Sequence, residues 1–176
     1  MAVYKLFPLQ DATVYSFYPS MNTGIDPIIE IGNLNVNINP VPQVFRFLCQ
    51  FDQNQINDTI NNKVGGTQFS SSLKTYIANA QGIIFDTELE IYPISGSWNN
   101  GSGTYLDSPF TTNGVSWTSQ TFSGSGGQDW ATSSFSPYVT ASYSGSNTAG
   151  GCTWYTGSSD PNNTNIAVTQ SFTLRS

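Results

Sequence analysis

The chain has 176 residues, only 9% of them charged, with 5 Lys or Arg against 11 Asp or Glu. So acidic a balance excludes a surface that works by neutralising phosphates, and a sequence without histidine excludes the usual catalytic triads and zinc sites. A hydrophobic content of 38% at so low a charge excludes a disordered polypeptide, while an aromatic content of 14% with 16 glycines and 9 prolines fits short strands joined by many turns.

Taken from the N-terminus, Met1 to Pro8 lacks the long apolar core of a signal peptide, and nothing downstream approaches a membrane span. The chain is therefore expected to be made in a cytoplasm without a classical export signal. Residues 2–7 and 11–17 predict two short strands separated by Pro8, and Pro19 to Pro27, with Asn22-Thr23-Gly24, predicts a turn-rich loop. Ile28 to Gly32 predicts a third strand, and Asn33 to Pro42 a polar loop. The central stretch is Gln43 to Asp52, Gln-Val-Phe-Arg-Phe-Leu-Cys-Gln-Phe-Asp. Read with a period of two, it puts Phe45, Phe47, Cys49 and Phe51 on one face and Val44, Arg46, Leu48 and Gln50 on the other. Apolar groups on both faces suit a strand covered on both sides. The aromatic face is expected to be the nearly inaccessible one, against Phe85, Leu89 or Ile91. Arg46, set among apolar groups, is expected to meet a carboxylate, with Glu88, Glu90, Asp11 and Glu30 the candidates in that order.

Beyond the central strand, Ile56, Ile60 and Val64 are spaced for one helical face that Gly65-Gly66 would stop. Phe69, Leu73, Tyr76 and Ile77 repeat that spacing and predict a second helix before Gly82. Ile83 to Tyr92 alternates cleanly and predicts a strand that Pro93 ends or places near an edge. From Ser95 to Gly151 the composition shifts to Gly, Ser, Thr and Asn punctuated by aromatic residues, which predicts long ordered loops pinned by rings, with short strands near Val115–Trp117 and Tyr138–Tyr143. Thr153–Tyr155 and Ile166–Leu174 are the last predicted strands.

Several residues could carry chemistry. Glu88 and Glu90 lie two apart on one strand face, so their carboxylates would sit roughly 6–7 Å apart, a spacing a glycosidase can use; a solvated strand face, or pairing of one of them with Arg46, is the plainer reading. Asn22-Thr23-Gly24 and Gly101-Ser102-Gly103-Thr104 lack the Lys-Ser/Thr of a phosphate loop and read as turns. Asp11, Asp26, Asp107 and Asp129 could supply oxygen ligands to calcium, though without EF-hand spacing. Trp98, Trp117, Trp130 and Trp154 all sit in Gly/Ser-rich surroundings. Exposed on a sandwich rim they would stack on sugar rings; buried, they would cover the sandwich ends and lock the loops, which is the favoured reading. Cys49 and Cys152 permit one disulfide, but two reduced thiols are the simpler expectation.

These pieces resemble a known module. Asp11-Ala12-Thr13, Tyr18-Pro19 with Asn22-Thr23-Gly24, and Glu30-Ile31-Gly32 are similar to the opening of the DNRLRE-type β-sandwich family. Arg46-Phe47-Leu48-Cys49-Gln50-Phe51-Asp52 resembles that family's Arg-x-Leu-(apolar)-x-Phe-Asp strand, and Leu89-Glu90-Ile91-Tyr92 its next core strand. Ser97-Trp98, the Gly101–Thr104 loop and Gly114-Val115-Ser116-Trp117 resemble its paired tryptophan motifs. The elaborated loops, with Met1-Ala2-Val3-Tyr4, Asp107-Ser108-Pro109 and residues 151–157, are similar to virion structural proteins of tailed phages, especially myophages of marine cyanobacteria. The resemblance covers most of residues 1–157; nothing after Gly157 clearly supplies the last strands that family members carry.

The resemblance implies an all-β fold, an antiparallel jelly-roll-like β-sandwich over residues 1–157 with aromatic-pinned loops and one or two short helices, followed by a C-terminal strand or arm at 158–176. It implies a non-catalytic virion structural protein, made in the host cytoplasm without a signal peptide, that decorates or connects neck, tail or baseplate. The expected partners are other virion proteins and further copies of the chain in a symmetric assembly, with neither nucleic acid nor membrane, and no cofactor or metal is expected. The alternative is a carbohydrate-binding adhesion module that takes a host-surface glycan on Trp98, Trp117, Trp130 and Trp154. Ile166, Val168, Phe172 and Leu174, in near-alternation, are expected to pair with a neighbouring chain through an exposed edge or a departing arm.

Overall fold

The computed structural model describes residues 3–34, 43–65, 69–78, 87–92, 94, 96–122, 124–130, 140–145, 148–155 and 170–174. Its regular structure is almost all strand: β1 (Pro8–Tyr15), β2 (Gly32–Leu34), β3 (Gln43–Phe51), β4 (Thr87–Ile91), β5 (Thr140–Gly145), β6 (Thr148–Tyr155) and β7 (Gln170–Leu174), with one short helix, α1 (Gln53–Asp58), after β3. Every pairing is antiparallel. The strands group as β1-β3-β2, β4-β7 and β5-β6.

The Gln43 stretch is central in its sheet, as its two apolar faces require. Pro8 does not divide two strands; it heads β1, where a missing N–H costs no ladder bond, and the register shifts between Pro8 and Gln10. Ile28 to Ile31 forms no ladder, and the third strand begins only at Gly32. Gly32 lies under the Phe45 ring, where an added Cβ would come within 2.5 Å of it, so glycine lets this edge close down.

The faces of β3 are reversed from expectation. Ala12 pairs with Leu48 and Val14 with Arg46, so these side chains share a face, and that face carries the hydrophobic cluster, while Thr13 and Tyr15 of β1 are buried on the other. With Val44 beside them, Ala12, Val14 and Leu48 pack against Trp98, Val115, Trp117, Trp130 and Cys152. Phe45, Phe47 and Phe51, on the opposite face, are half-buried. The reason is volume: three indoles descend onto one side of the sheet, and that side accommodates them with small and aliphatic residues. Of the expected contacts for the Phe face, Phe85 lies outside the described residues.

α1 lies within the predicted helical segment, and its start is set by Asp52. The Asp52 carboxylate accepts the Asn54 amide at 2.8 Å, and the Asp52 carbonyl takes the Ile56 N–H at 3.0 Å. The helix loosens into a π turn over Thr59–Val64 and stops at Gly65, whose φ of 68° is left-handed and whose N–H bonds Ile60 at 3.2 Å. The second predicted helix is not formed. Residues 69–78 are irregular, and Phe69, Leu73, Tyr76 and Ile77 are exposed. Ser70, Ser71 and Ser72 are weak helix formers, since a serine hydroxyl can bond nearby backbone in non-helical conformations, and so short an amphipathic helix needs a surface to lie on.

β4 is the core of the Ile83–Tyr92 prediction; residues 79–86 lie outside the described ones. Residues 115–117 are buried without a ladder. Phe172 stands opposite Leu89 and Leu174 opposite Thr87, so β7 closes onto the chain's own β4. Phe172 and Leu174 are therefore placed in the chain's own ladder and not in a departing arm, which is the one of the two expected forms that this pairing removes. Ile166 and Val168 lie outside the described residues.

Cys49 and Cys152 are both free thiols. Cys49 belongs to the Phe face of β3, while Cys152 lies in the core on the other face, so the sheet separates them. Cys152 adopts φ 78° at the irregularity in the β5-β6 ladder, between the Tyr143↔Gly150 and Ser142↔Thr153 pairs. Burial pushes its thiol up to about 11, against the pull of the Arg46 guanidinium that hydrogen-bonds it. At pH 8 the folded protein is therefore expected to give one thiol to a disulfide-exchange reagent, Cys49, and the unfolded protein two. Two equivalents from the native chain, or none from the reduced native chain, would contradict this burial pattern.

Candidate functional site

The loops between residues 96 and 130 hold the described tryptophans in the core. Trp98 is 8% exposed, Trp117 1% and Trp130 3%. Trp130 Nε1 donates to the Ser116 carbonyl at 2.9 Å and its backbone N–H to Thr118 at 3.0 Å, so the loop folds back on itself around the ring. The half-buried Arg46 lies 5.0 Å from the Trp117 ring centroid, a cation–π contact. These three indoles form no rim: their burial agrees with the favoured expectation that they lock the loops, and it leaves them without the open ring face that the alternative, sugar stacking, needs. The Trp154 side chain lies outside the described residues.

Under the indoles the two predicted turns prove to be one knot with Asn22 at its centre. Asn22 is fully buried. Its Nδ2 donates to the carbonyls of Asn100 at 2.7 Å and Val115 at 2.8 Å, and its Oδ1 accepts Gly103 N–H at 2.8 Å and Gly24 N–H at 3.3 Å. Three separate loops thus share one amide. Backbone approaches this closely only without side chains: a Cβ on Gly24 would fall 1.9 Å from the Asn100 carbonyl oxygen, and one on Gly114 2.4 Å from the Gly101 Cα. Asn100 returns the contact, its Nδ2 donating to the Gly24 carbonyl.

The knot carries a surface that the sequence reading passed over. The Ile25 N–H bonds the Gly103 carbonyl at 3.1 Å, and the Tyr105 N–H bonds both Asp26 oxygens at 3.0 and 3.2 Å, which fastens 25–26 to 103–105. Tyr105 stacks at 5.4 Å on Tyr15, and Tyr18 lies 4.9 Å from Phe110. Tyr15 donates its hydroxyl to Glu30 at 2.7 Å, and its pKa is driven up by burial first and by that carboxylate second. Asp107 accepts the Thr104 N–H at 3.0 Å, the Thr104 hydroxyl at 2.7 Å and the Thr111 hydroxyl, which hold its carboxyl below the ordinary value. Asp26 is shifted the other way, by burial and by the nearby charges of Glu30 and Asp107, against the Tyr105 amide.

No protein family, curated protein or solved structure matches this chain.

The other candidates are scattered. Asp11 acts on Cys49, Asp129 accepts the Ser119 hydroxyl at 2.8 Å, and among the described residues no group of three or more Cys, Asp or Glu is placed to hold a metal ion. Glu88 and Glu90 stand opposite Thr173 and Ser171 in the β4-β7 ladder; their side chains lie outside the described residues, so the contacts expected with Arg46 do too. Of the remaining partners named for Arg46, Glu30 is engaged by Tyr15 on the opposite face of the sheet. Among the described residues no helix is long and apolar enough to cross a membrane. One signal for the missed surface was available: aliphatic Ile25, Ile28, Ile29 and Ile31 interleaved with Asp26 and Glu30, a pattern that suits neither a core strand nor a solvated loop.

Proposed function

We propose that the chain is a structural protein of a tailed-phage particle, a jelly-roll-like β-sandwich that decorates or connects neck, tail or baseplate through protein–protein contacts. The observation that carries this reading is the disposition of its large apolar side chains. The described indoles, which a sugar-binding module would display, are sunk in the core, while Ile25, Ile28, Tyr105, Leu106 and Phe110 are exposed. Scattered exposed apolar residues are ordinary, but a group tied together by ring contacts and shared hydrogen bonds marks a contact surface. The low charge fits the same role, since few charged groups lose hydration when an interface forms.

The order of the DNRLRE-like motifs supports the sandwich. In this reading β1-β3-β2 forms one layer, and the β4-β7 and β5-β6 pairs contribute to the second, with Cys152 at the junction. Copies arranged with the particle's symmetry would each present the same surface. Imaging intact particles with a tag on this chain tests the proposal. Density at fixed positions on the neck, tail or baseplate is expected. Particles that lack the chain, or a purified chain that binds host glycans through Trp154, would overturn it.

A further inference from the structure

The exposed group on the Asn22 knot has a definite electrostatic character. Ile25 is 57% exposed and Leu106 87%, and the Tyr105 and Phe110 rings are open to solvent at 41% and 42%. Around this apolar centre stand three carboxylates, Asp26, Glu30 and Asp107, close enough for Glu30 and Asp107 to act on Asp26. Each already serves a fold contact: Asp26 to the Tyr105 amide, Glu30 to the Tyr15 hydroxyl, Asp107 to Thr104 and Thr111. The charges acting on Asp26, those of Glu30 and Asp107, are both negative. Of the basic residues, Lys63 is paired with Asp58 at 2.9 Å on the helical segment, and Arg46 is held over Trp117 beneath the sheet.

We infer that the surface built on Ile25, Tyr105, Leu106 and Phe110 docks a different protein, one that offers an apolar or aromatic centre ringed by Lys or Arg. The inference rests on the structural-protein reading only in taking the occupant to be a protein. Charge decides between the two protein occupants. A second copy of this chain, at net charge −6, would set carboxylate rim against carboxylate rim; like charges brought together across an interface cost several kcal/mol, whereas a basic rim meets these acids favourably. The carboxylates select the partner and set its register, and the rings and aliphatic groups supply the buried centre.

The test uses the full chain with random copolymers as probes: poly(Lys,Tyr), poly-Lys and poly(Glu,Tyr), each labelled for anisotropy. Poly(Lys,Tyr) is expected to bind about tenfold or more tighter than poly-Lys, and to weaken steeply as salt rises through the Debye-screening range. Poly(Glu,Tyr) is expected not to bind. The double variant Ile25→Ser/Leu106→Ser, both of whose side chains are solvent-exposed, should keep the wild-type circular dichroism and lose about tenfold in poly(Lys,Tyr) affinity. Equal binding of poly-Lys and poly(Lys,Tyr), or undiminished binding by the double variant, would overturn the inference. So would sedimentation that shows a wild-type dimer abolished by the same variant, since a second copy would then be the occupant. Particle assembly separates the two proposals. Loss of the double variant alone from particles supports this surface, and its retention overturns the surface while leaving the structural role intact.

Discussion

Replacing Trp117 with alanine is expected to destabilise the protein by about 3–5 kcal/mol, a large part of the total stability of an ordinary domain. The ring is 1% exposed and sits in the cluster formed by Ala12, Val14, Leu48 and Cys152, so truncation leaves a cavity that β1 and β3 cannot close without breaking their ladder. A second cost comes from the half-buried Arg46, which loses the ring face 5.0 Å from its guanidinium carbon. Trp117→Phe keeps a ring for the cation and should lose roughly half as much, within the span that smaller core truncations cover. Urea denaturation monitored by far-UV circular dichroism reads both variants. A midpoint unchanged in Trp117→Ala would mean that the loops do not pack on the sheet, and the account of the core would fall with it.

That core shows where sequence reasoning reaches and where it stops. The position of β3 at the centre of its sheet followed from its alternation, and the helix after it followed from the spacing of Ile56, Ile60 and Val64 and the stop at Gly65-Gly66. Both signals are local: a pleat has period two, and a helix face repeats every three to four residues. Which face of β3 lies in the core was not legible, because both faces are apolar and the heavier aromatic one seemed the better core. The choice was made by loops more than forty residues downstream, through Trp98, Trp117 and Trp130. The 69–78 segment failed for a related reason: spacing of Phe69, Leu73, Tyr76 and Ile77 describes a face, but a face stabilises a helix only against a partner surface. Phe172 and Leu174 alternate as a strand should, yet alternation does not name the strand's neighbour, and within the chain that neighbour is β4.

The Asn22 knot was half legible. Asn22-Thr23-Gly24 and Gly101–Thr104 read as turns, and turns they are, but nothing in either stretch showed that they meet through one amide 78 to 93 residues from its partners. The consequence can be measured with the smallest change available, Asn22→Asp. It preserves shape and keeps the oxygen that accepts Gly103 N–H and Gly24 N–H. It replaces the donor facing the Asn100 and Val115 carbonyls with a second oxygen. Two buried acceptors then lose their donor, each at about 1–3 kcal/mol, and an ionised carboxylate in their place would confront them directly. The variant is expected to lose at least about 3 kcal/mol at pH 7. It should also carry a pH dependence that the parent lacks at this position. Burial against carbonyls raises the folded-state pKa of the new acid above its unfolded value near 3.9, so the folded protein holds the proton more tightly than the unfolded chain does. Stability relative to wild type should therefore be best below about pH 4, where the protonated acid can donate to one of the two carbonyls, and should fall as pH rises through the elevated folded pKa, becoming flat above it. Parallel urea titrations of both proteins between about pH 3 and 8 give the difference directly. A penalty that is constant across that range, or smallest at high pH, would show that position 22 is open to water and that the three loops are not held by its amide.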